Sequence, residues 1–215
     1  MKTTAPRPTR EEVLTAFRRD ALLGAARRVF GGRGFDEATM EAIAAEAQVA
    51  KGTVYLYFPS KLAIYEAAFA AGMEELTRLT DARVRAASVV RDAIRAFVET
   101  RVAYFQEHPD YFRMYVGEVS RQLTDRTPRK SSCRDAMLAH TRMLRDAFAR
   151  AIAAGEMRAV DPAAAALAVF DITRGLVARR LLSRSPSDAA QEIAFLTDLI
   201  WTGLGPGPDA PGPTA

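Results

Sequence analysis

The chain has 215 residues, of which 49% are hydrophobic, and its formal net charge is +4 at pH 7. This length allows one or two small domains with a substantial core. The single cysteine, Cys133, excludes an intramolecular disulfide. No segment approaches the roughly 20 apolar residues of a membrane-spanning helix, and the polar N-terminus lacks the apolar stretch of a signal peptide. We therefore expect a cytoplasmic protein with no membrane partner.

Most of the net positive charge lies near the start of the chain. Residues 1–61 contain ten lysine and arginine side chains but seven aspartate and glutamate side chains. A mildly basic region is typical of a surface that contacts phosphates. Alanine and arginine are abundant, and Val, Ile and Thr do not alternate with polar residues, so the sequence predicts an all-α fold.

The first predicted helix follows a short arm. Residues 1–8 contain two prolines and no apolar pattern, which predicts a flexible segment. Thr9 and Glu12 have the spacing of a capping box, so helix one begins near Thr9, or nearer Phe17, and runs to Phe30. We expect the glycines that follow to end this helix. They are Gly31, Gly32 and Gly34.

Two short helices come next. Thr39 is predicted to cap the second helix, and residues 48–50 are predicted to form a turn. The third helix covers about residues 51–57. Pro59 is predicted to end this helix, and Ser60 is predicted to cap the fourth helix.

The spacing of apolar residues predicts six longer helices after residue 60. Their approximate ranges are 61–83, 89–107, 111–123, 133–154, 162–182 and 187–204. The polar segment 124–132 is predicted to be a loop. The tail 205–215 is rich in proline and glycine and is predicted to be disordered.

The two short helices have the pattern of a helix-turn-helix. Such a unit needs a shared apolar face, a compact turn, and short side chains where the second helix approaches DNA. Lys51, Gly52 and Thr53 provide a cation, a position without a side chain, and a hydroxyl at that place. The hydroxyl can bond a base edge and the lysine can reach a phosphate or a guanine. The phenols of Tyr55 and Tyr57 can reach phosphates.

Purely structural roles stay open for some of these residues. Tyr55 could instead pack between helices one and three. Thr39 could act only as a helix cap, although both roles can coexist. Gly52 could be a packing glycine, but at a helix N-terminus that role itself implies the close approach of another group.

This segment resembles the N-terminal signature of the TetR family of bacterial transcriptional repressors over about residues 20–65. The matching residues are Gly34, Phe35, Thr39, Ile43, Ala44, Val49, Lys51, Gly52, Thr53, Val54, Tyr55, Tyr57, Phe58 and Lys61. The chain departs from the pattern at the turn. Many members have glycine where Gln48 stands and serine where Ala50 stands, so we expect a left-handed backbone at Gln48 and no side-chain cap at Ala50.

The resemblance implies an all-α homodimer with about nine helices per subunit, which binds double-stranded operator DNA. It implies a flexible arm or helix extension over 1–16, a three-helix DNA-binding domain over 17–62, a ligand-binding and dimerisation domain over 63–204, and a disordered tail over 205–215. The last two helices are expected to form the dimer interface. The residues that it places at DNA are Thr39, Lys51, Gly52, Thr53, Tyr55, Tyr57 and Lys61.

By the same resemblance, an effector pocket lies among helices four to eight. Its candidate residues are Arg101, Phe105, Tyr115, His140, Leu144, Phe148, Phe170 and Arg174. Arg101, His140 and Arg174 interrupt apolar stripes, and a buried arginine needs a partner. That partner is either a carboxylate, of which the candidates are Glu99, Glu118 and Asp171, or the acidic or hydrogen-bonding head group of an apolar effector. A simple hydrophobic core is the alternative interpretation.

The sequence does not favour an enzyme. Two histidines and one cysteine, without a glycine-rich phosphate loop, a G-x-S-x-G motif or paired metal-ligand spacing, predict no catalytic residue, no metal site and no cofactor. We predict a repressor that binds operator DNA as a homodimer and is released by a small, largely apolar effector. The alternative is a DNA-binding regulator without a small-molecule effector, which is controlled by a protein partner or acts as an activator.

Overall fold

The computed structural model describes residues 9–124, 132–182 and 188–206. Every secondary-structure element in these ranges is an α-helix, which confirms the all-α prediction. The helices are α1 (Arg10–Glu37), α2 (Met40–Glu46), α3 (Lys51–Tyr57), α4 (Lys61–Ala86), α5 (Val90–Glu107), α6 (Pro109–Thr124), α7 (Ser132–Ala153), α8 (Pro162–Leu182) and α9 (Ala189–Leu204). The arm 1–8, the loop residues 125–131 and the tail residues 207–215 lie outside the described residues.

The first helix begins where the capping box predicts. The backbone N–H of Glu12 donates to the Thr9 hydroxyl at 3.2 Å, and the backbone N–H of Thr9 donates to the Glu12 carboxylate at 2.7 Å. These bonds satisfy groups that the first helical turn leaves open. The hydrogen bond from the Thr9 backbone N–H lowers the pKa of Glu12, and the Thr9 hydroxyl, which donates to the same carboxylate at 3.0 Å, lowers it further.

The predicted end of α1 at the first glycines is wrong. The helix continues past Gly31 and Gly32 to Glu37, and it breaks at Gly34, whose φ of 77° is left-handed. Gly31 is buried, and a Cβ there would lie 2.3 Å from the carbonyl oxygen of Asp110. Gly31 therefore allows close packing with α6, and only Gly34 interrupts the helix.

The described chain divides into two compact units. The first unit contains residues 9–71 and 110–124, and the second contains residues 72–109, 132–182 and 188–206. Helix α4 therefore begins in the first unit and ends in the second. The first unit is larger than the predicted DNA-binding segment 17–62, because it takes in the first part of α4 and most of α6.

Polar contacts join α6 to the other helices of the first unit. Arg27 of α1 forms an ion pair with Asp110 at 3.1 Å, and Arg113 Nε donates to the carbonyl of Gly31 at 2.8 Å. The Tyr111 hydroxyl donates to the carbonyl of Phe69 in α4 at 2.9 Å. These contacts surround a core in which each large, fully buried apolar side chain contributes roughly 1.5–3 kcal/mol.

The later helices lie within three residues of their predicted ranges. Gly155 follows α7 with a φ of 73°, as expected of a residue that closes a helix. The start of α9 corrects one detail: its cap is Asp188, whose carboxylate accepts from the Ala190 N–H at 2.9 Å. The predicted cap, Ser187, lies outside the described residues.

Candidate DNA-binding surface and effector site

Helices α2 and α3 form a compact helix-turn-helix. Thr39 caps α2 by accepting a hydrogen bond from the Ala42 N–H at 3.1 Å. Gln48 in the turn has a φ of 56°, and Ala50 precedes α3 without a side-chain cap, as the sequence predicts. Ile43 and Val54 are fully buried beneath the two helices. The cap and the turn are therefore formed by residues of this segment itself.

The outer face of α3 is exposed to solvent. Lys51 and Gly52 are exposed, and a Cβ added at Gly52 would meet no atom within 4 Å. Tyr55 is 45% exposed, so it is not a core residue, and Thr53 and Tyr57 are half-buried. The face combines a cation, hydroxyls and an open backbone position, which are the groups that bind phosphates and base edges.

Lys51 has an intramolecular partner in this structure. Its ammonium forms an ion pair with the Glu41 carboxylate of α2 and lies 5.8 Å from the centre of the Tyr55 ring. The hydrogen bond between the two charged groups lowers the pKa of Glu41 and raises the pKa of Lys51. Both side chains are exposed, so a phosphate can compete for the lysine.

Lys61, at the start of α4, contacts the end of α1. Its ammonium donates to the carbonyl of Asp36 at 3.1 Å and lies 4.7 Å from the centre of the Phe35 ring. The guanidinium of Arg121 lies 5.4 Å from the centre of the same ring. Phe35 of α1 thus contacts two cations, one at the start of α4 and one on α6.

A buried carboxylate reinforces this connection. Glu118 of α6 is fully buried and accepts hydrogen bonds from the Tyr65 hydroxyl at 3.0 Å and from Arg121 Nη2 at 2.7 Å. Aromatic and basic side chains, Phe35 and Arg113 among them, also line a cleft of about 310 Å³ beside this group. The sequence shows the Glu118–Arg121 spacing, but not that Glu118 would be buried and bonded to Tyr65 of α4.

Arg101 is the largest fully buried side chain of the second unit. Its guanidinium carbon lies 5.5 Å from the ring centres of Phe97 and Phe105, and 4.4 Å from that of Phe170. Aromatic faces carry partial negative charge and attract such a cation. The structure therefore brings together three predicted effector-site residues and Phe97, which the sequence analysis missed although it lies one helical turn before Arg101.

His140 joins the same cluster. Its ring centre lies 5.3 Å from that of Phe97 and 6.2 Å from that of Phe170, and its Nδ1 is 2.9 Å from the Thr77 hydroxyl oxygen. Burial lowers the pKa of His140 well below its ordinary value, and the positive charge of Arg101 lowers it further. The imidazole is therefore neutral at physiological pH.

The other predicted effector-site residues have different environments. Leu144 and Phe148 of α7 are fully buried in the second unit. The side chain of Arg174 is 34% exposed and pairs with Asp171 of its own helix at 3.2 Å. Tyr115 belongs to the first unit, where its ring stacks on that of Phe69 with centres 6.2 Å apart.

Two kinds of site are not found in the described part of the chain. No group of three or more His, Cys, Asp or Glu side chains there is arranged to hold a metal ion. None of the helices of residues 9–124, 132–182 and 188–206 is long and apolar enough to cross a bilayer.

An exposed helix-turn-helix on an all-α scaffold defines the class of helix-turn-helix transcription regulators. Residues 22–68 match the profile of the family described as "Bacterial regulatory proteins, tetR family". This match covers the segment that contains the helix-turn-helix, so residues 22–68 resemble the N-terminal domain of TetR-family regulators. Neither this family nor the similar proteins below are enzymes.

One curated relative is the HTH-type transcriptional activator FasR of Mycolicibacterium smegmatis, with 33% identity over 97 residues. The matched segment covers 45% of this chain and 44% of FasR, so the chain matches less than half of that relative's length.

Solved structures share the fold over most of both chains. A TetR-family regulator from Marinobacter aquaeolei VT8 gives a TM-score of 0.75 at 18% identity and covers 90% of this chain and 98% of its own. The regulator FadR of Bacillus subtilis, in complex with stearoyl-CoA, gives a TM-score of 0.73 at 18% identity, and the match covers 86% of this chain and 98% of FadR. The fatty acid degradation regulator FadR of Bacillus halodurans gives a TM-score of 0.74 at 17% identity, and the match covers 93% of this chain and 96% of FadR.

Proposed function

We propose that the protein is a DNA-binding homodimer in the cytoplasm that represses transcription and is released from its operator by a small, largely apolar effector. The observation that carries the DNA-binding part is the exposed face of α3, where Lys51, Gly52 and Tyr55 face solvent on a preformed helix-turn-helix. The match of residues 22–68 to the profile of TetR-family regulators supports the same role.

The proposed contacts divide into two groups. Lys51, Gly52 and Thr53 approach the base edges, because short side chains at the start of α3 let its backbone enter the major groove. Tyr55 and Tyr57 bind phosphates through their hydroxyls. Thr39 and Lys61 complete the surface while keeping the cap and the Asp36 contact that they make in the free protein.

Dimerisation is proposed through α8 and α9. Phe195 and Leu199 form an apolar stripe on α9 and are 69% and 57% exposed. On α8, Leu167 and Ile172 are also exposed, and a Cβ added at Gly175 would meet no atom within 4 Å. A monomer rarely leaves such a patch in water. A second copy would cover it and would place two α3 helices about one DNA turn, ~34 Å, apart.

The effector site is proposed in the second unit, around Arg101, Phe105, His140 and Phe170. The stearoyl-CoA complex of FadR supports an effector with an acyl chain. Leu144 and Phe148 supply further apolar surface, and the contribution of Tyr115 and Arg174 stays a prediction. Because α4 runs from the first unit into the second, we propose that effector binding changes the orientation of α3 through α4. This requires an effector that binds the two states with different affinity.

Activation is a second candidate, because the relative FasR is named as a transcriptional activator. Transcription in vitro from a template with the protein's own upstream region separates the two. A repressor lowers transcript yield and its effector restores it, whereas an activator raises the yield.

A gel shift with the DNA upstream of its own gene tests the proposed function. We expect a complex that survives competitor DNA and weakens steeply with salt, because lysine and arginine contacts release counterions from the phosphates. A fatty acid or an acyl-CoA should dissociate the protein from the DNA. If every DNA fragment competes equally well at all salt concentrations, the proposed function is wrong.

Two substitutions at one ion pair should change DNA affinity in opposite directions. Lys51→Gln removes a contact and should lower the affinity several-fold, with the slope of log affinity against log salt reduced by about 1. Glu41→Gln removes the carboxylate that holds Lys51 and should raise the affinity a few-fold. Fluorescence anisotropy over a salt series measures both. Equal affinities for the two variants would show that Lys51 does not face DNA.

A further inference from the structure

His140 has a buried nitrogen atom with no hydrogen-bond partner among the described residues. The side chain is fully buried, Nδ1 contacts the Thr77 hydroxyl, and Nε2 is inaccessible to water and unpaired. Native proteins satisfy nearly all buried polar atoms, because an unsatisfied one loses its hydration without compensation. An unpaired nitrogen of this kind indicates a partner that binds there.

The surroundings of this nitrogen are both apolar and cationic. The rings of Phe97 and Phe170 pack against the imidazole, and the guanidinium of Arg101 lies over the same two rings. The charge of Arg101 also acts on the imidazole. A partner that enters this cluster is therefore favoured if it has an apolar body and an electron-rich head group.

We propose that His140 Nε2–H donates a hydrogen bond to the acyl oxygen of the effector, a carboxylate or thioester oxygen, and that Arg101 stabilises the negative charge on that oxygen. This inference rests on the proposed function, because it names the head-group chemistry of the proposed effector. The hydrogen bond from Nε2 would then make the site prefer an acyl compound over an apolar molecule without such an oxygen.

The direction of the hydrogen bond follows from the neutral imidazole. A neutral ring has one N–H, and the Thr77 hydroxyl can donate its proton to Nδ1, which leaves the ring proton on Nε2. An acyl oxygen can accept that proton. An alcohol oxygen can accept it too, but carries less negative charge for Arg101 to stabilise.

Nuclear magnetic resonance of the imidazole nitrogens tests the contact directly. The chain has two histidines, so a His108→Asn variant assigns both rings. The probes are the fatty acids from octanoate to stearate, their CoA thioesters and the matching alcohols. We expect an acid or a thioester to shift the His140 Nε2 signal with its proton retained, and the matching alcohol to shift it less. Binding of an acid or thioester in calorimetry without a change at Nε2 would overturn the proposal, and so would a failure of every acid and thioester to bind.

A substitution provides the second test. His140→Phe keeps an aromatic ring but removes the donor, so affinity for the acid or thioester should fall at least about tenfold. The ligand-free variant should unfold at the same temperature as the wild type or above it, because the substitution removes the buried Nε2, which has no hydrogen-bond partner among the described residues. Thr77 can then donate to its own helix, as Thr80 does to the Leu76 carbonyl. Unchanged affinity in His140→Phe, with His108→Phe as the matched control, would contradict the assignment.

Operator binding separates this inference from the function on which it rests. Ligand-free His140→Phe should bind operator DNA like the wild type and should no longer be released by the acyl probe. If DNA binding is present but no acyl probe shifts Nε2, only the head-group assignment is wrong. If the probe shifts Nε2 but no specific DNA complex forms, only the DNA-binding proposal is wrong.

Discussion

Placing glutamate at both Phe195 and Leu199 is expected to convert the proposed dimer into monomers and to lower operator affinity at least about a hundredfold, because two linked half-site contacts become one. The two apolar side chains are exposed on α9, and a dimer would bury them. Each glutamate would then place an unpaired charge in the interface, where loss of hydration is costly. Light scattering after size exclusion measures the mass, and anisotropy measures the affinity.

The control for this experiment is Leu138→Glu. Leu138 is exposed on α7, outside the proposed α8–α9 interface, so the same substitution should leave the protein dimeric. A double variant that remains dimeric would exclude the α9 stripe as the interface. A monomeric variant with wild-type operator affinity would show that DNA binding does not need the dimer.

Gly31→Ala is expected to lower the free energy of unfolding by about 1–3 kcal/mol, as overpacking of a close contact does. The new Cβ would meet the Asp110 carbonyl oxygen at 2.3 Å and the carbonyl carbon at 2.7 Å. Both are backbone atoms that cannot rotate away, so α6 must move. That movement would also strain the Arg27–Asp110 ion pair and the Arg113 hydrogen bond to Gly31.

The neighbouring glycine provides a matched control. A Cβ added at Gly32 would meet no atom within 4 Å, and the backbone there is helical. Gly32→Ala should therefore raise the free energy of unfolding by roughly 0.5–1 kcal/mol, the usual advantage of alanine over glycine in a helix. Urea unfolding of both variants measures the difference. Two variants of equal stability would disprove the close contact between α1 and α6.

The helix-turn-helix was predictable from the sequence because its contacts are local. Thr39 caps a helix that begins at the next residue, and the left-handed Gln48 lies in a short turn between two helices. Neighbouring residues determine each of these features, so a short segment of sequence contains the needed information. The start of α3 at Lys51 follows from the same segment.

Contacts between distant parts of the chain were not predictable in the same way. Gly31 has the local pattern of a helix end, and only the position of Asp110 shows that it is a packing residue. Likewise, Thr77, Arg101 and His140 lie on three different helices. Periodicity placed Arg101 and His140 on buried faces, but it could not show that Nε2 would have no partner within the described residues.

Selection of binding sites from a random library of DNA duplexes tests the central claim, that a homodimer reads operator DNA with α3. We expect an enriched sequence with two inverted half-sites whose centres are about one helical turn, ~34 Å, apart. A Thr53→Ala variant should lose base preference within each half-site and keep their spacing, because the Thr53 hydroxyl is proposed to contact a base edge. If no sequence is enriched, or if the enriched sequence is the same for the variant, α3 does not read the operator as proposed.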